Sequence, residues 1–257
     1  MQVRAGHVAD ALLQGGSCDK PVSMRACVVL FPGLNADAEM ARTLSLTGFD
    51  VTIVRHTDHA LPDGTDLVTI PGGFSYGDYL RCGAIAKVAP ILPAIRAHAG
   101  KGGYVLGVCN GFQILTECGL LPGALTQNAG LRFDCRDIYV QVAHDGPFTP
   151  RDAGTTKTLW RMPIAHAEGR YQASPATLRM LHDEGRIALR YATATGEATD
   201  AANPNGSVEN IAGVYGGLEG KKNVLGLMPH PERMSEKVLG GDDGRALFDL
   251  VAKAIGN

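Results

Sequence analysis

The chain predicts an α/β protein: a mostly parallel sheet with helices on both faces and an antiparallel excursion. Three observations carry this. Short runs rich in Val, Leu and Ile alternate with helix-spaced segments through the first half, the pattern of strands buried on both faces. The second half changes character, to strand-like runs linked by turns. The 257 residues, 45 % hydrophobic and 19 % charged, are enough for one large α/β domain with a sizeable core.

In chain order, Ala26 to Phe31 reads as a buried strand, stopped by Pro32-Gly33. Asp37 to Thr47 follows with helical spacing. Val51 to Val54 and Asp66 to Ile70 are the second and third strands, the latter broken by Gly72-Gly73. Ile85 to Ala99 has helical spacing, with Pro90 and Pro93 either capping or bending it. Tyr104 to Val108 is the fourth strand and Phe112 to Cys118 begins the next helix. Ile138 to Val142, Leu159 to Ile164, Ile187 to Tyr191 and Ile211 to Tyr215 are strand-like, with a strong turn signal at Asn203 to Gly206 (NPNG). Asn223 to Met228 is a further strand, and Gly244 to Ile255 a terminal helix. Residues 1–24 are expected to be an N-terminal extension, either a short amphipathic helix from Val8 to Leu13 or a flexible tail, and residues 25–257 the domain. Met24 is a conceivable alternative start.

Bulk properties exclude several functions. A net charge of −2 without basic runs gives no phosphate-tracking groove, so no nucleic-acid partner is expected. No run of about 18 apolar residues occurs, so no membrane span is expected. The N-terminus lacks the apolar core of a secretory signal, which points to the cytoplasm and reduced thiols. The cysteines Cys18, Cys27, Cys82, Cys109, Cys118 and Cys135 include no C-x-x-C pair or zinc-finger spacing, so no metal is expected. Most should be small buried hydrophobes.

Cys109 stands apart. In Gly107-Val108-Cys109-Asn110-Gly111 an apolar strand meets a helix through Gly-x-Cys-x-Gly, the cysteine counterpart of a serine nucleophile elbow. Flanking glycines relieve the crowding of such a turn, and the helix N-terminus favours negative charge on sulfur. The short pattern alone fits a buried cysteine in a tight turn equally well. Cys27 and Cys118 lack the Gly-x-Cys-x-Gly pattern and read as structural.

Acyl transfer by a thiolate needs a proton donor and acceptor. His230, between two prolines in Met228-Pro229-His230-Pro231-Glu232-Arg233, follows a strand. Glu232, two residues on in an extended segment, can face the same way and hold the imidazole tautomer. The alternative is an exposed loop histidine beside a surface carboxylate, which the elbow on another strand disfavours. His56 and His59 have no comparable setting. For the oxyanion, the Gly73 and Asn110 N–H groups are candidate donors. A Gly-Gly pair after a strand also fits an ordinary turn.

Together these segments resemble the class I (triad) glutamine amidotransferases over about residues 25–255. The resemblance is narrower still to the glutaminase subunits of phosphoribosylformylglycinamidine synthase. It is carried by Phe31-Pro32-Gly33-x-Asn35, Pro71 to Ala86 (PGGFSYGDYLRCGAIA), Gly107 to Gln113, Pro163 to Tyr171 (PIAHAEGRY), Asn203 to Gly213 and Met228 to Arg233. It implies a flavodoxin-like fold, and that Cys109 forms a γ-glutamyl thioester with L-glutamine while His230 shuttles protons and Glu232 orients it. It further implies that Gln113 contacts bound glutamine. Ammonia would pass to an ATP- and Mg-dependent large synthetase subunit, with a small bridging subunit as third partner; this chain itself would need no cofactor. His166 and Glu168 would be structural or interfacial, the alternative being participation at the substrate mouth. Leu34, Ala36, Cys82 and Ala167 depart from the usual pattern without removing a triad member. An amidotransferase serving another acceptor is disfavoured by the GFSYGDYLR and NPNGS segments. A degenerate, non-catalytic relative is disfavoured by the intact Cys109, His230 and Glu232.

Overall fold

A computed structural model describes residues 24–150, 158–218 and 220–256. Residues 1–23 of the expected N-terminal extension, with the alternative short helix from Val8 to Leu13, lie outside the described residues.

Eleven strands and five helices are described. The first half contains β1 (Arg25–Leu30), α1 (Asp37–Leu46), β2 (Asp50–Arg55), β3 (Leu67–Ile70), α2 (Leu92–Gly100), β4 (Tyr104–Val108) and α3 (Asn110–Glu117). Then come β5 (Ala124–Thr126), β6 (Asp134–Val142), β7 (Leu159–His166), β8 (Arg170–Gln172), α4 (Pro175–Asp183), β9 (Ile187–Ala192), β10 (Ile211–Gly216), β11 (Val224–Leu227) and α5 (Arg245–Gly256).

Nine strands form one sheet in the order β2-β1-β3-β4-β11-β10-β9-β6-β7, and β5 pairs with β8 separately. The first five run parallel to one another, and from β10 outward each pairing is antiparallel. Every residue of β3 and β11 is buried although successive side chains face opposite sides, so both faces of the sheet are covered there. α1 packs against β1, β2 and α5, and α3 packs against β3, β4 and β11. Strand β7 instead alternates between buried and half-buried residues, as expected where only one face meets the core.

The antiparallel excursion interrupts the parallel sheet in sequence but not in space. The segment between α3 and β11 folds outward, and β11 returns to lie parallel to β4, with Leu227 opposite Val108. This places the carboxyl ends of β4 and β11 side by side, where open α/β sheets bind ligands.

Some elements differ from the sequence reading. The span from Ile85 to Ala99 is not one helix: a 3-10 turn at Ala86–Val88 precedes α2. Pro90 pushes Ala89 into extended geometry (ψ 141°), while Pro93 sits harmlessly in the first turn of α2. Helix α3 starts at Asn110 rather than Phe112, and β6 starts at Asp134 rather than Ile138. The short strands β5 and β8 and the helix α4 are additions to the elements that the sequence pattern predicts. The Ser174 hydroxyl caps α4 by accepting the Thr177 N–H at 3.1 Å, an N-cap legible in Ser-Pro-x-Thr.

Candidate active site

Cys109 occupies the bend between β4 and α3 with φ 52° and ψ −106°, a conformation costly for any residue but glycine. The surroundings hold it there. Its N–H donates to the Leu227 carbonyl at 2.8 Å, and its own carbonyl accepts from Gln113 N–H at 3.2 Å. The flanking glycines are obligatory: a Cβ at Gly111 would overlap the Ile70 carbonyl, and one at Gly107 would come within 2.6 Å of the Gly111 carbonyl oxygen. The Cys109 thiol lies 3.7 Å from the Ala165 carbonyl on β7.

His230 enters from the end of β11. Its N–H donates to the Pro163 carbonyl at 2.9 Å, tying it to β7. Its ring Nδ1 is 2.6 Å from Glu232 Oε1, and both side chains are fully buried. Glu232 lies in a 3-10 turn, Pro231–Met234, rather than in the extended segment expected. That turn follows from Pro231, whose fixed φ suits a helical first turn, and it still brings the carboxylate back to the ring. Since a carboxylate only accepts, Nδ1 carries hydrogen and Nε2 is left to face the thiol.

Cys109 and His230 meet. Both line a cavity of about 220 Å³, together with Asn35, Gly73 and Arg233. A Cβ on Gly72 would lie 2.6 Å from His230 Cε1 and 3.3 Å from Cys109 Cβ, so glycine is required where the two converge. Burial opposes a charged His230 ring, but the Glu232 carboxylate and the Cys109 side chain outweigh it and hold the ring up to about 10. These neighbours favour the imidazolium more than it is favoured in a free ring.

Gly73 lines the same cavity, with φ 144° and its Cα packed against Leu34 and Asn35, where a Cβ would clash with backbone. The Asn110 N–H is the first of α3 and has no carbonyl one turn earlier in the helix to meet. The Asn110 side chain is buried and fully engaged. Its carbonyl accepts from Ser75 N–H at 3.1 Å, and its amide donates to Asp78 at 3.2 Å and Gln113 at 2.7 Å. Gln113 in turn donates to the Glu168 carbonyl at 2.7 Å. Both ends of the Gln113 amide are thus used within the protein, and contact with glutamine through that amide would require these bonds to exchange.

His166 is buried, its Nδ1–H donating to Asn128 Oδ1 at 3.1 Å. Asn128 also donates to the His166 and Arg132 carbonyls, so the pair ties β7 to the loop after β5. Burial lowers His166 to about 4, with the His230 charge adding to that and Asp134 opposing it. The sign for stability follows. The unfolded chain protonates this ring first, so stability falls as pH drops from about 6.5 toward 4. His230 has the opposite sense: its contribution is complete below about 6.5 and is lost as pH climbs toward 10. Stability should therefore peak near neutrality. His166→Gln should flatten the acid limb by on the order of 1 kcal/mol per pH unit, read as Tm between pH 6.5 and 4.5. Unchanged slopes would refute this.

The other candidates fall away from the site. His56 bonds Tyr76 Oη at 2.8 Å and stacks on Phe31, while His59 is exposed on a loop. Burial, with Asp58 adding, pushes the Cys27 thiol up to about 12, and Cys118 is buried against the Leu115 carbonyl. Cys135 departs from the expectation of a buried cysteine. It is exposed and lines the cavity beside Cys109, because the early residues of β6 project beyond the core. Neither Cys135 nor Phe133, which also lines the cavity, carried a local signal; β6 brings them there by pairing with β7. No group of three or more His, Cys, Asp or Glu side chains able to hold a metal exists among the described residues.

The family model described as the CobB/CobQ-like glutamine amidotransferase domain matches residues 23–241. The chain belongs to this family. Among its amidotransferase relatives, the phosphoribosylformylglycinamidine synthase subunit PurQ of Bradyrhizobium diazoefficiens is 52 % identical over 90 % of this chain and 97 % of its own. The subunit of the same name from Cereibacter sphaeroides is 53 % identical, over 88 % and 96 %. A chain in the structure of PurLQS from Thermotoga maritima superposes with a TM-score of 0.77 at 40 % identity, covering 90 % of this chain and 99 % of that one. A glutamine amidotransferase from Thermotoga maritima at 14 % identity and TM-score 0.56 shares the amidotransferase fold.

Proposed function

We propose that this chain is the glutaminase subunit of phosphoribosylformylglycinamidine synthase. The observation that carries the reading is the Cys109 elbow facing a His230–Glu232 pair across one small cavity, in a chain about half identical to PurQ subunits over most of its length.

The chemistry follows from that geometry. Cys109 sulfur attacks the carboxamide carbon of L-glutamine, and the oxyanion is met by the N–H groups of Gly73 and Asn110. His230 gives its proton to the leaving nitrogen, the C–N bond breaks, and a γ-glutamyl thioester and ammonia result. The ring, now neutral at Nε2, takes a proton from water as the hydroxide attacks the thioester, which returns glutamate and the free thiol. Glu232 keeps Nδ1 protonated throughout. The chain needs no cofactor for these steps. The large synthetase subunit uses the ammonia, with ATP and Mg²⁺, to convert formylglycinamide ribonucleotide to the amidine, and the small bridging subunit completes the assembly. No described helix is long and apolar enough to cross a membrane, and a cytoplasmic setting fits the free thiols Cys27, Cys82 and Cys118.

Reconstitution with purified synthetase and bridging subunits tests this. With amide-¹⁵N-labelled glutamine, ATP and Mg²⁺, label should appear in the amidine. The isolated chain should release ammonia far more slowly than the complex. Label that never reaches the amidine would refute the assignment, and full glutaminase activity of the isolated chain would refute control by the partner.

A further inference from the structure

A second thiol shares the cavity of the nucleophile. Cys109 and Cys135 both line the space of about 220 Å³ that His230 and Arg233 also line. Their settings differ. Cys109 is buried, whereas Cys135 is exposed near the start of β6. The other described cysteines, Cys27, Cys82 and Cys118, are buried and line no part of that cavity. Glutamine hydrolysis gives Cys135 no task, because the thioester forms on Cys109 and His230 moves the protons.

Strand pairing sets how near the two thiols lie. Cys135 stands directly opposite Ala165 in the antiparallel β6–β7 pair. The Pro163 carbonyl leaves the outer edge of β7 to accept the His230 N–H at 2.9 Å. Two residues on, the Ala165 carbonyl leaves by the same edge and lies 3.7 Å from the Cys109 thiol. A residue whose carbonyl points outward is not hydrogen-bonded to the residue opposite. Cys135 and Ala165 are therefore a close pair, with Cα atoms about 4.5 Å apart and both side chains on one face. Cys135 is thus one cross-strand step from the residue that the nucleophile touches. A disulfide needs Cα atoms within about 7 Å of each other, and the start of β6 is the part able to close that gap. Residues 134–138 pair only with β7, because pairing with β9 begins at Tyr139, and Cys135, Arg136 and Asp137 are all exposed.

A thiolate able to attack a carboxamide also attacks a hydroperoxide. The Cys109 sulfur bonds to the outer peroxide oxygen as the O–O bond breaks, and the alcohol, or water from hydrogen peroxide, leaves with a proton from His230. Sulfur is oxidised by two electrons to sulfenic acid and the peroxide is reduced by two. We propose that Cys135 is a resolving thiol: its sulfur attacks the sulfur of that sulfenic acid and closes a reversible Cys109–Cys135 disulfide. The S–O bond breaks and the oxygen leaves as water with the Cys135 proton. Two thiols and one hydroperoxide thus give one disulfide, one alcohol (or water) and one water. A dithiol reverses the change by thiol–disulfide exchange. The closed form has no free nucleophile and hydrolyses no glutamine. It also spares Cys109 the sulfinic acid, which dithiols do not reduce. The proposal rests on Cys109 as the reactive thiol of the glutaminase reading and is independent of which protein consumes the ammonia.

The test uses the full-length chain assembled with the synthetase and bridging subunits, and hydrogen peroxide as the oxidant. Treated samples are blocked with an alkylating reagent, digested and read by mass spectrometry. Activity from glutamine and from ammonium chloride is measured before and after dithiothreitol, each protein relative to its own untreated value. In wild type, a peptide pair joined through Cys109 and Cys135 should accumulate as glutamine-dependent activity falls at least about tenfold, while activity from ammonium chloride stays within about twofold. Dithiothreitol should separate the pair and return the glutamine activity. In Cys135→Ser, and in Cys135→Ala as a second variant, peroxide should carry Cys109 on to sulfinic acid, and the activity that dithiothreitol restores should be at least about fivefold smaller. The resolving role is wrong if wild type keeps its glutamine activity under peroxide, loses it without the joined pair, or joins Cys109 to another cysteine. It is equally wrong if both variants recover as wild type does. A diazo-ketone glutamine analogue applied to untreated protein separates the two readings. Label on Cys109 with no joined pair overturns the resolving thiol alone; no label on Cys109 overturns the nucleophile, and this proposal with it.

Discussion

Cys109→Ala should lower glutamine-dependent amidine formation by at least about 10⁴-fold while leaving synthesis from ammonium chloride in the assembled complex within about twofold of wild type. The loss is large because no other described thiol can substitute. Cys27, Cys82 and Cys118 are buried and line no part of the cavity, and Cys135, although on the cavity wall, does not sit at the N-terminus of α3. The ammonia route survives because the variant changes neither the elbow backbone nor the outer surface. Alanine bears the same positive-φ penalty as cysteine and removes one sulfur, so stability should change by about 1 kcal/mol or less. Two assays of the same complex, one fed glutamine and one fed ammonium chloride, decide it. Glutamine-supported turnover in the variant would remove Cys109 from the role of nucleophile. Loss of both activities would mean that the change had broken the assembly rather than the chemistry.

Glu232→Gln tests the other half of the site and should cost about 10³- to 10⁴-fold in glutamine-dependent kcat. The side chains are nearly isosteric, so packing around this buried residue is kept. What changes is the charge beside His230. Burial already disfavours the imidazolium, and the Glu232 carboxylate heads the influences that overcome it and hold the ring up to about 10. With a neutral amide there, burial prevails and the ring loses its proton near neutral pH. The leaving nitrogen then has no donor, and the amide no longer enforces the Nδ1–H tautomer. Nitrogen NMR of labelled histidine at pH 8 should find His230 protonated in wild type and neutral in the variant. Persistence of the imidazolium, or kcat within about threefold of wild type, would show that Glu232 does not set the state of His230.

Much of this molecule is legible in the order of its residues. The strands β1, β3, β4 and β11 announce themselves as apolar runs because they are buried on both faces. Gly107 and Gly111 mark the elbow because no side chain fits where α3 crosses the sheet. Pro229 and Pro231 mark the His230 turn through backbone restriction alone. Signals of this kind are local: each depends on a residue's own conformational freedom or on the apolar spacing of its immediate neighbours.

What the local order left undetermined needed distant segments to come together. The short strands β5 and β8 carry too few residues to show a period and exist because they pair with each other. Phe133, Cys135 and Ala165 became walls of the cavity only when β6 and β7 folded past the sheet's carboxyl edge. The engagement of both ends of the Gln113 amide could not be inferred from its position four residues after the nucleophile. The sequence by itself singled out Cys109 as the candidate thiol, His230 as the candidate imidazole and Glu232 as the carboxylate to orient it. Only the tertiary structure decided that they meet, because β11 returns from a long antiparallel excursion to lie parallel to β4, and no local propensity encodes that pairing.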